Sequence, residues 1–386
     1  MKNENAKGDS TSLMIAIGAI IANLIGSGFA TGQEILQHAG VFGFGGIVGL
    51  AIVFVLFVTC AATIMVDTKK KGLLETRDLF KFYCGKYLAV FLTWSIPFIM
   101  FTFYIVMLSG AGATLNQYYG LPQAVGRLLM AFLTVLTVLF GLKKTVDIIG
   151  HIGPALILLV LFIALYACFS KGGVSFSEGS EIIRRSTDIY RAGPTNWWCG
   201  ILYSSELLVT GIIFYAKLGP TMKSARTGAI AALVGCGSYV LVGMILCLAF
   251  MKNVNAIVGT DVPMLVLANN ISPIMGTFFS VILLLGIYTT AAPMLWIAVN
   301  ALAKDGTRKA WITTVVLGCV SLAISFLPYQ RLVNIVWPLS GYLGFAAMLG
   351  VLWSLVLRKL RPTEEAQIVG DSTVTIIEKN HGDIIS

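Results

Sequence analysis

Charged side chains are scarce in this sequence of 386 residues: Asp, Glu, Lys and Arg make up 12% of it, whereas 57% is hydrophobic and the mean hydropathy is +0.86. Soluble domains carry about twice that share of charge. No stretch between the apolar segments is long enough to form a soluble domain. The scarcity of charge therefore excludes a soluble protein and predicts an all-α integral membrane protein.

The sequence also has few of the groups that enzymes and metal centres use. It contains three histidines, and its seven cysteines are scattered without a CxxC pair, so we expect no disulfide framework, no metal centre built on Cys or His, and no enzyme. Without a Walker A loop we expect no ATPase subunit. The formal charge of +9 is that of a surface facing anionic lipid headgroups, and we expect no nucleic-acid partner.

Ten apolar segments are predicted to cross the membrane, since a crossing takes about 20 helical residues. They are residues 13–37, 42–67, 88–116, 123–142, 146–169, 195–217, 224–251, 272–303, 309–327 and 331–357. The first segment is too long for a signal peptide and is followed by no cleavage pattern. We therefore expect it to remain as a membrane helix.

Basic residues predict the orientation, because Lys and Arg accumulate on the cytoplasmic side of a membrane. With the N-terminus inside, the outer segments hold seven of the 27 Lys and Arg residues and the inner segments hold the other 20. The seven are Arg127, Lys171, Arg184, Arg185, Arg191, Lys252 and Arg331. We therefore expect both termini in the cytoplasm.

A polar outer segment divides the spans into two sets of five. The predicted parts are an N-terminal segment at 1–12, a first repeat at 13–169, the outer loop at 170–194, a second repeat at 195–357 and a disordered tail at 358–386. Because five is odd, the two sets enter the membrane from opposite sides. This is typical of a 5+5 inverted repeat, in which the first helix of each half is broken at the midplane and helps to form a site.

The centre of span 1 carries Asn23, Gly26, Ser27 and Gly28, followed by Gln33 and Glu34 in its outer half. Membrane glycines often only admit a neighbouring helix. A break would instead expose backbone groups that must line a cavity or bind a ligand. Freed carbonyls suit cations, and the N–H groups of Ser27 and Gly28 suit a carboxylate.

Glu206 lies at the centre of span 6, and together with its neighbours Tyr203 and Ser205 it is a candidate to bind the substrate. A carboxylate at this depth is costly and normally faces a cavity with a partner. Three roles remain open: pairing with a substrate ammonium, carrying a proton, or accepting structural hydrogen bonds. Gly286, Thr289 and Thr290 lie at a similar depth in span 8 and offer three neutral oxygens to a cation, although membrane threonines also bond to their own helix.

Two motifs resemble those of proteins with the LeuT-type fold in the amino acid–polyamine–organocation superfamily. They are Ala22-Asn-Leu-Ile-Gly-Ser-Gly28 in span 1 and Gly286-Ile-Tyr-Thr-Thr290 in span 8. The stretch from Gly26 to Glu34, Gly-Ser-Gly-Phe-Ala-Thr-Gly-Gln-Glu, is similar to bacterial membrane proteins of the YkvI type. The resemblance implies a location in the bacterial inner membrane. It also implies a sodium site from the carbonyls of Ala22, Ile25 and Gly286 and the hydroxyls of Thr289 and Thr290.

The resemblance also suggests which residues couple and gate. Tyr104 in span 3 would donate to a substrate carboxylate, or else only pack. Span 5 lacks the lysine of proton-driven relatives, which favours sodium, and its Asp147 and His151 form an inner gate or a capped helix start. Asn23, Gln33 and Glu34 are further candidates for coupling or gating.

These features predict a secondary transporter in which sodium drives symport of an amino acid or a similar zwitterion by alternating access. Glu206 would hold the cationic end of the solute. Proton coupling through Glu206 and a non-transporting sensor or channel are the alternatives.

Overall fold

The computed structural model describes residues 2–73, 75–140 and 146–360, and for residues 2–12, 27, 146–154 and 359–360 it describes only the backbone. Helices account for nearly all regular structure in this part of the chain. The long helices are α1 (Lys2–Leu24), α4 (Phe44–Lys71), α5 (Thr76–Tyr119), α6 (Gln123–Phe140), α7 (Val146–Phe169), α9 (Asn196–Thr221), α10 (Ala225–Lys252), α13 (Pro273–Leu302), α14 (Arg308–Ile324) and α15 (Tyr329–Leu360). The predicted tail lies outside the described residues from residue 361 onward.

Short helices fill the outer half of span 1 and the connections. They are α2 (Ser27–Thr31), α3 (Gln33–His38), α8 (Phe176–Arg185), α11 (Val254–Ile257) and α12 (Pro263–Ile271), with a single 3-10 turn at Gly40–Phe42. Gly32 separates α2 from α3 in the left-handed conformation (φ 85°), which a residue with a Cβ rarely adopts. The outer half of span 1 is therefore two short helices.

Within the described residues, seven helices are long and apolar enough to cross a membrane. They are α4, α5, α6, α9, α10, α13 and α15. The apolar stretches Leu13–Leu24 and Ala155–Phe169 are shorter. The chain is thus an all-helical multi-pass membrane protein, and the count of ten spans stays a prediction.

Two groups of helices organise the molecule. α1, α4, α9 and α10 pack against one another, and α5, α6, α13 and α14 form a second group. α15 packs on both α9 and α5, while α7 packs on α10 and α13. Each group contains two helices from each predicted repeat.

The predicted break in span 6 is wrong. α9 runs without interruption from Asn196 to Thr221, and the hydroxyls of Ser204 and Ser205 bond to the carbonyls of Gly200 (2.7 Å) and Ile201 (2.9 Å) within it. Glycine serves packing here, because a Cβ on Gly200 would lie 2.5 Å from the Gly49 carbonyl oxygen of α4. Glu206 therefore reaches the interior from an intact helix.

Replacing Gly200 by alanine should lower the thermal stability. The added methyl would meet backbone rather than a mobile side chain, so α4 and α9 must separate. Gly18→Ala is the matched control, because nothing lies within 4 Å of a Cβ on Gly18. The comparison is made by thermal unfolding of the purified variants, and an equal melting temperature for the two would contradict this packing.

Candidate functional site

The backbone changes direction at the centre of span 1. α1 ends at Leu24, and Gly26 is extended (φ −84°, ψ 172°) before α2 begins at Ser27. The Gly26 N–H donates to the Leu24 carbonyl (3.0 Å). This donor is thereby diverted from the Ala22 carbonyl, its partner in a continuous helix. The interruption thus presents polar backbone in the middle of an apolar segment.

A cavity of about 300 Å³ lies at this interruption and brings together spans 1, 3, 5, 6, 8 and 10. Its lining includes the break residues Ala22, Asn23, Ile25, Gly26 and Gly28, and also Glu34, Glu206, Thr210, Gly286, Thr289 and Thr290. Its apolar wall includes Met100, Phe103, Met107, Leu207, Pro293, Met294, Ile297 and Trp337. The cavity is large enough for a small organic solute.

The Glu206 carboxylate faces this cavity without a partner for one of its oxygens. The residue is 3% exposed, and its Oε2 is buried and makes no hydrogen bond. The nearby Thr210 hydroxyl donates to the Glu206 backbone carbonyl (2.9 Å) rather than to the carboxylate. A buried carboxylate oxygen without a donor is costly, so a bound cationic group would satisfy it.

The Glu34 carboxylate, in contrast, is held by aromatic donors. Its Oε1 lies 2.6 Å from the Tyr203 hydroxyl and 3.1 Å from the Tyr239 hydroxyl, and these two hydroxyls are 2.6 Å apart. The Trp337 indole adjoins the same carboxylate at Gly28. Glu34 reaches the cavity from α3, so the short helices after the break bring a second carboxylate to the site.

Gly28 makes room for this arrangement. A Cβ at this position would lie 2.6 Å from Glu34 Oε2 and 2.6 Å from Trp337 Cζ2. Trp337 in turn stacks on Phe103, with ring centroids 4.6 Å apart. The absence of a side chain at Gly28 therefore lets Glu34 and the aromatic wall meet the break.

The hydroxyls of span 8 lie beside the break of span 1. Thr289 and Thr290 both donate to the Gly286 carbonyl, at 3.0 Å and 2.8 Å. A Cβ on Gly26 would lie 3.8 Å from the Thr290 methyl group. A threonine oxygen that donates its proton keeps lone pairs for a cation, so these bonds are compatible with the predicted sodium site.

The cavity is closed at one end and reachable at the other. Beyond the break, Phe29 is fully buried against Tyr239, with ring centroids 4.5 Å apart, and Thr31 lies 2.9 Å from the Tyr329 hydroxyl. On the opposite side Asn23 is exposed. The path therefore opens toward the N-terminal part of α1.

The segment from α11 to α12 covers the closed end. Gln33 Nε2 donates to the Thr260 carbonyl (2.7 Å), and Gln330 Nε2 donates to Asp261 Oδ1 (3.1 Å). Burial raises the pKa of the Asp261 carboxyl, which the hydrogen bond from Gln330 and the charge of Arg127 oppose. Gln33, predicted to gate, thus tethers this cover to α3.

Solved structures of transporters share the overall fold of this chain. A variant of the Eremococcus coleocola manganese transporter aligns with a TM-score of 0.56 at 14% identity, over 90% of this chain and 78% of that one. MhsT in complex with L-phenylalanine aligns with a TM-score of 0.55 at 14% identity, over 85% and 87%. The chain has the LeuT-type transporter fold.

Sequence relatives extend over nearly the whole LeuT-type chain. YyaD of Bacillus subtilis strain 168, an uncharacterised protein, is 23% identical over 88% of this chain and 96% of its own length. YkvI of the same strain, an uncharacterised membrane protein, is 20% identical over 89% and 95%. No family model matches the chain. The predicted similarity to YkvI-type proteins is confirmed.

Three predicted substrate contacts lie elsewhere than expected. The Tyr104 hydroxyl is 2.8 Å from Thr134 Oγ1 and faces α6, and Ser205 Oγ faces Met348 Sδ (3.5 Å) on α15. Both residues lie on faces of their helices that are turned away from the cavity, and neither lines it. Tyr203 does not line the cavity itself but donates a hydrogen bond to Glu34, which does. The side chains of Ser27, Asp147 and His151 lie outside the described residues.

Trp337, Phe103 and Tyr239 belong to the site but were not predicted. Trp337 is followed by Pro338 within an apolar span, where proline is unusual because it removes a helical hydrogen bond. That pair was the one available signal. Phe103 and Tyr239 occur in aromatic-rich spans and carry no comparable mark.

Proposed function

We propose that the chain is a secondary active transporter that moves a small solute with an ammonium group through the central cavity by alternating access. The Glu206 carboxylate supports this most directly, since its Oε2 is buried without a partner and the residue lines the cavity. An ammonium group bound there would donate the hydrogen bond that Oε2 lacks and would also bring the positive charge that balances the carboxylate. An amino acid or a similar zwitterion is the first class to consider.

Sodium is proposed as the coupling ion. Ala22, Ile25, Gly286, Thr289 and Thr290 all line one cavity, and their carbonyls and hydroxyls would supply the oxygen ligands. Neutral oxygens suit a hard monovalent cation. Sodium bound between spans 1 and 8 would join the two helix groups, so its binding would favour one arrangement of them over the other.

The ten-span 5+5 topology is part of this proposal. Pairing of α1 and α4 with α9 and α10, and of α5 and α6 with α13 and α14, is the pattern expected for two related halves. With both termini in the cytoplasm, the exposed Asn23 marks a cavity that faces inward. Rocking of one helix group against the other would open it outward and displace α12.

Proton coupling is the second candidate, because two carboxylates line one cavity. Either carboxylate could carry the coupling proton in place of sodium. Stability measured across pH in potassium chloride separates this candidate from sodium coupling.

Sodium chloride should stabilise the purified protein against heat more than potassium chloride does. A site filled at a hundred times its dissociation constant adds about 2.7 kcal/mol to the free energy of unfolding. The double variant Thr289→Val/Thr290→Val should lose the difference because it lacks both hydroxyl oxygens.

Thr63→Val/Thr93→Val is the matched control for this measurement. Both hydroxyls bond to carbonyls of their own helices (2.7 Å each), and neither residue lines the cavity. This control should keep the sodium effect. The contrary result would be equal stability of the wild type in both salts, together with a pH dependence of stability that Glu206→Gln removes. That result would show that a proton, rather than sodium, is the coupling ion.

A further inference from the structure

Two carboxylates line the central cavity. Glu34 and Glu206 both contribute to its wall, and no Lys, Arg or His does so among the residues whose side chains the structure describes. With both carboxyl groups ionised, the wall carries an excess of negative charge that any bound ions and solute must balance.

The surroundings of Glu34 match an ionised carboxylate, which accepts hydrogen bonds and donates none. Tyr203 and Tyr239 both present hydroxyl donors to it. The charge of Glu34 is thus stabilised by the protein itself but not neutralised. Glu206 Oε2 has no donor within the described structure, so this oxygen depends on what enters the cavity.

Among the described side chains, His38 does not supply the missing positive charge. His38 stacks on Tyr203 with ring centroids 4.7 Å apart, and its Nδ1 lies 3.0 Å from the Glu34 carbonyl oxygen. Its Nε2 is buried without a hydrogen-bond partner in the described structure. A proton on Nε2 would find no acceptor, so the arrangement suits the neutral ring.

One sodium ion leaves one negative charge unbalanced. A zwitterion adds no net charge, so two carboxylates, one sodium and a zwitterion would bury a net charge of −1. A solute with a net charge of +1 brings the total to zero. Since an unbalanced buried charge is strongly unfavourable, the two candidate solutes should differ widely in affinity.

We infer that the substrate is a cationic solute of net charge +1, whose ammonium group is bound by Glu206 while Glu34 supplies the second negative charge. This inference rests on the proposed transport function and narrows its substrate class. It includes amino acids with a basic side chain and amines without a carboxylate, and it excludes neutral amino acids.

A divalent metal ion would also balance two carboxylates, but the wall is poorly suited to one. Oε1 of Glu34 already accepts hydrogen bonds from two tyrosine hydroxyls. Much of the remaining wall is thioether, aliphatic and aromatic, whereas hard divalent ions require six or more oxygen ligands. An organic ammonium ion suits a carboxylate beside the stacked rings of Phe103 and Trp337.

The test uses pairs of probes that share a carbon skeleton and differ in charge. L-Lysine is compared with L-norleucine, and phenethylamine with L-phenylalanine, by ligand-induced thermal stabilisation of the purified full chain in saturating sodium chloride at pH 7. The cationic member of each pair should bind about tenfold more tightly or better, because it leaves no unbalanced buried charge.

Glu34→Gln provides the decisive variant. Its amide oxygen still accepts from the tyrosines, but one negative charge is gone, so sodium and a zwitterion now balance the site. The preference should therefore reverse toward L-norleucine and L-phenylalanine. The Glu206→Gln variant should instead lose binding of both probes in each pair, because the carboxylate that contacts the ammonium group is removed.

Other results would overturn the inference in distinguishable ways. Tighter binding of the zwitterions by the wild type, weakening as the pH rises, would mean that a proton balances the second carboxylate; transport would still stand as the proposed function. Stabilisation by manganese chloride and by none of the organic probes would show that Glu34 and Glu206 bind a metal ion. Absence of stabilisation by every probe in both sodium and potassium would reject the substrate class and the proposed transport function together.

Discussion

Glu206→Gln should abolish binding of L-lysine and the transport that depends on it. Removing one partner of a buried charge pair costs about 2–5 kcal/mol, which corresponds to a loss of roughly 30-fold to several thousand-fold in affinity. The side chain keeps its size, so α9 and the cavity should remain intact. Uptake of radiolabelled L-lysine into proteoliposomes under an inward sodium gradient measures the effect.

The control for charge alone is Glu178→Gln. Glu178 is exposed in α8 and lies away from the cavity, so its amide variant should transport like the wild type. Thermal unfolding of Glu206→Gln distinguishes loss of the contact from loss of the fold. A folded Glu206→Gln protein with normal uptake would remove this carboxylate from the mechanism.

Gly28→Ala should be the most damaging single methyl group in the break. Its Cβ would lie 2.6 Å from both Glu34 Oε2 and Trp337 Cζ2, so the carboxylate and the indole must both move. Overpacking of this kind costs about 1–3 kcal/mol, and here the cost falls on the groups that form the cavity. We expect a fall of about 5- to 150-fold in ligand affinity.

Gly26→Ala is the matched control two residues earlier. Its Cβ would make only an ordinary contact, 3.8 Å from Thr290 Cγ2, and its φ of −84° is accessible to alanine. Binding of L-lysine by the two variants is compared in the same thermal assay. Equal affinities for Gly26→Ala and Gly28→Ala would show that the space at Gly28 has no special importance.

The interruption of span 1 could be predicted because its cause is local. Asn23, Gly26 and Gly28 combine weak helix formers with polar groups in a segment that is otherwise apolar. The same reasoning failed for span 6, where Ser204 and Ser205 bond to carbonyls of their own helix. A polar residue in a membrane helix therefore predicts a break only if the helix cannot satisfy it.

The role of Glu34 could not be predicted from its neighbours in sequence. Its hydrogen-bond partners Tyr203 and Tyr239 come from α9 and α10, and the adjoining Trp337 comes from α15. Gly32 turns the chain so that α3 brings the carboxylate back to the cavity. In a straight helix, Glu34 would lie nine residues further along the helix axis than Ile25, toward the outer membrane surface. The pair of carboxylates thus depends on the fold.

The sequence by itself determined the membrane class, the break in span 1 and the resemblance to the LeuT-type fold, because hydrophobic length and local glycine patterns carry this information along the chain. The tertiary structure decided that span 6 is continuous, that Tyr104 faces away from the cavity and that Glu34 joins Glu206 within it. These outcomes depend on which helix faces meet across hundreds of residues, and no local pattern encodes that contact.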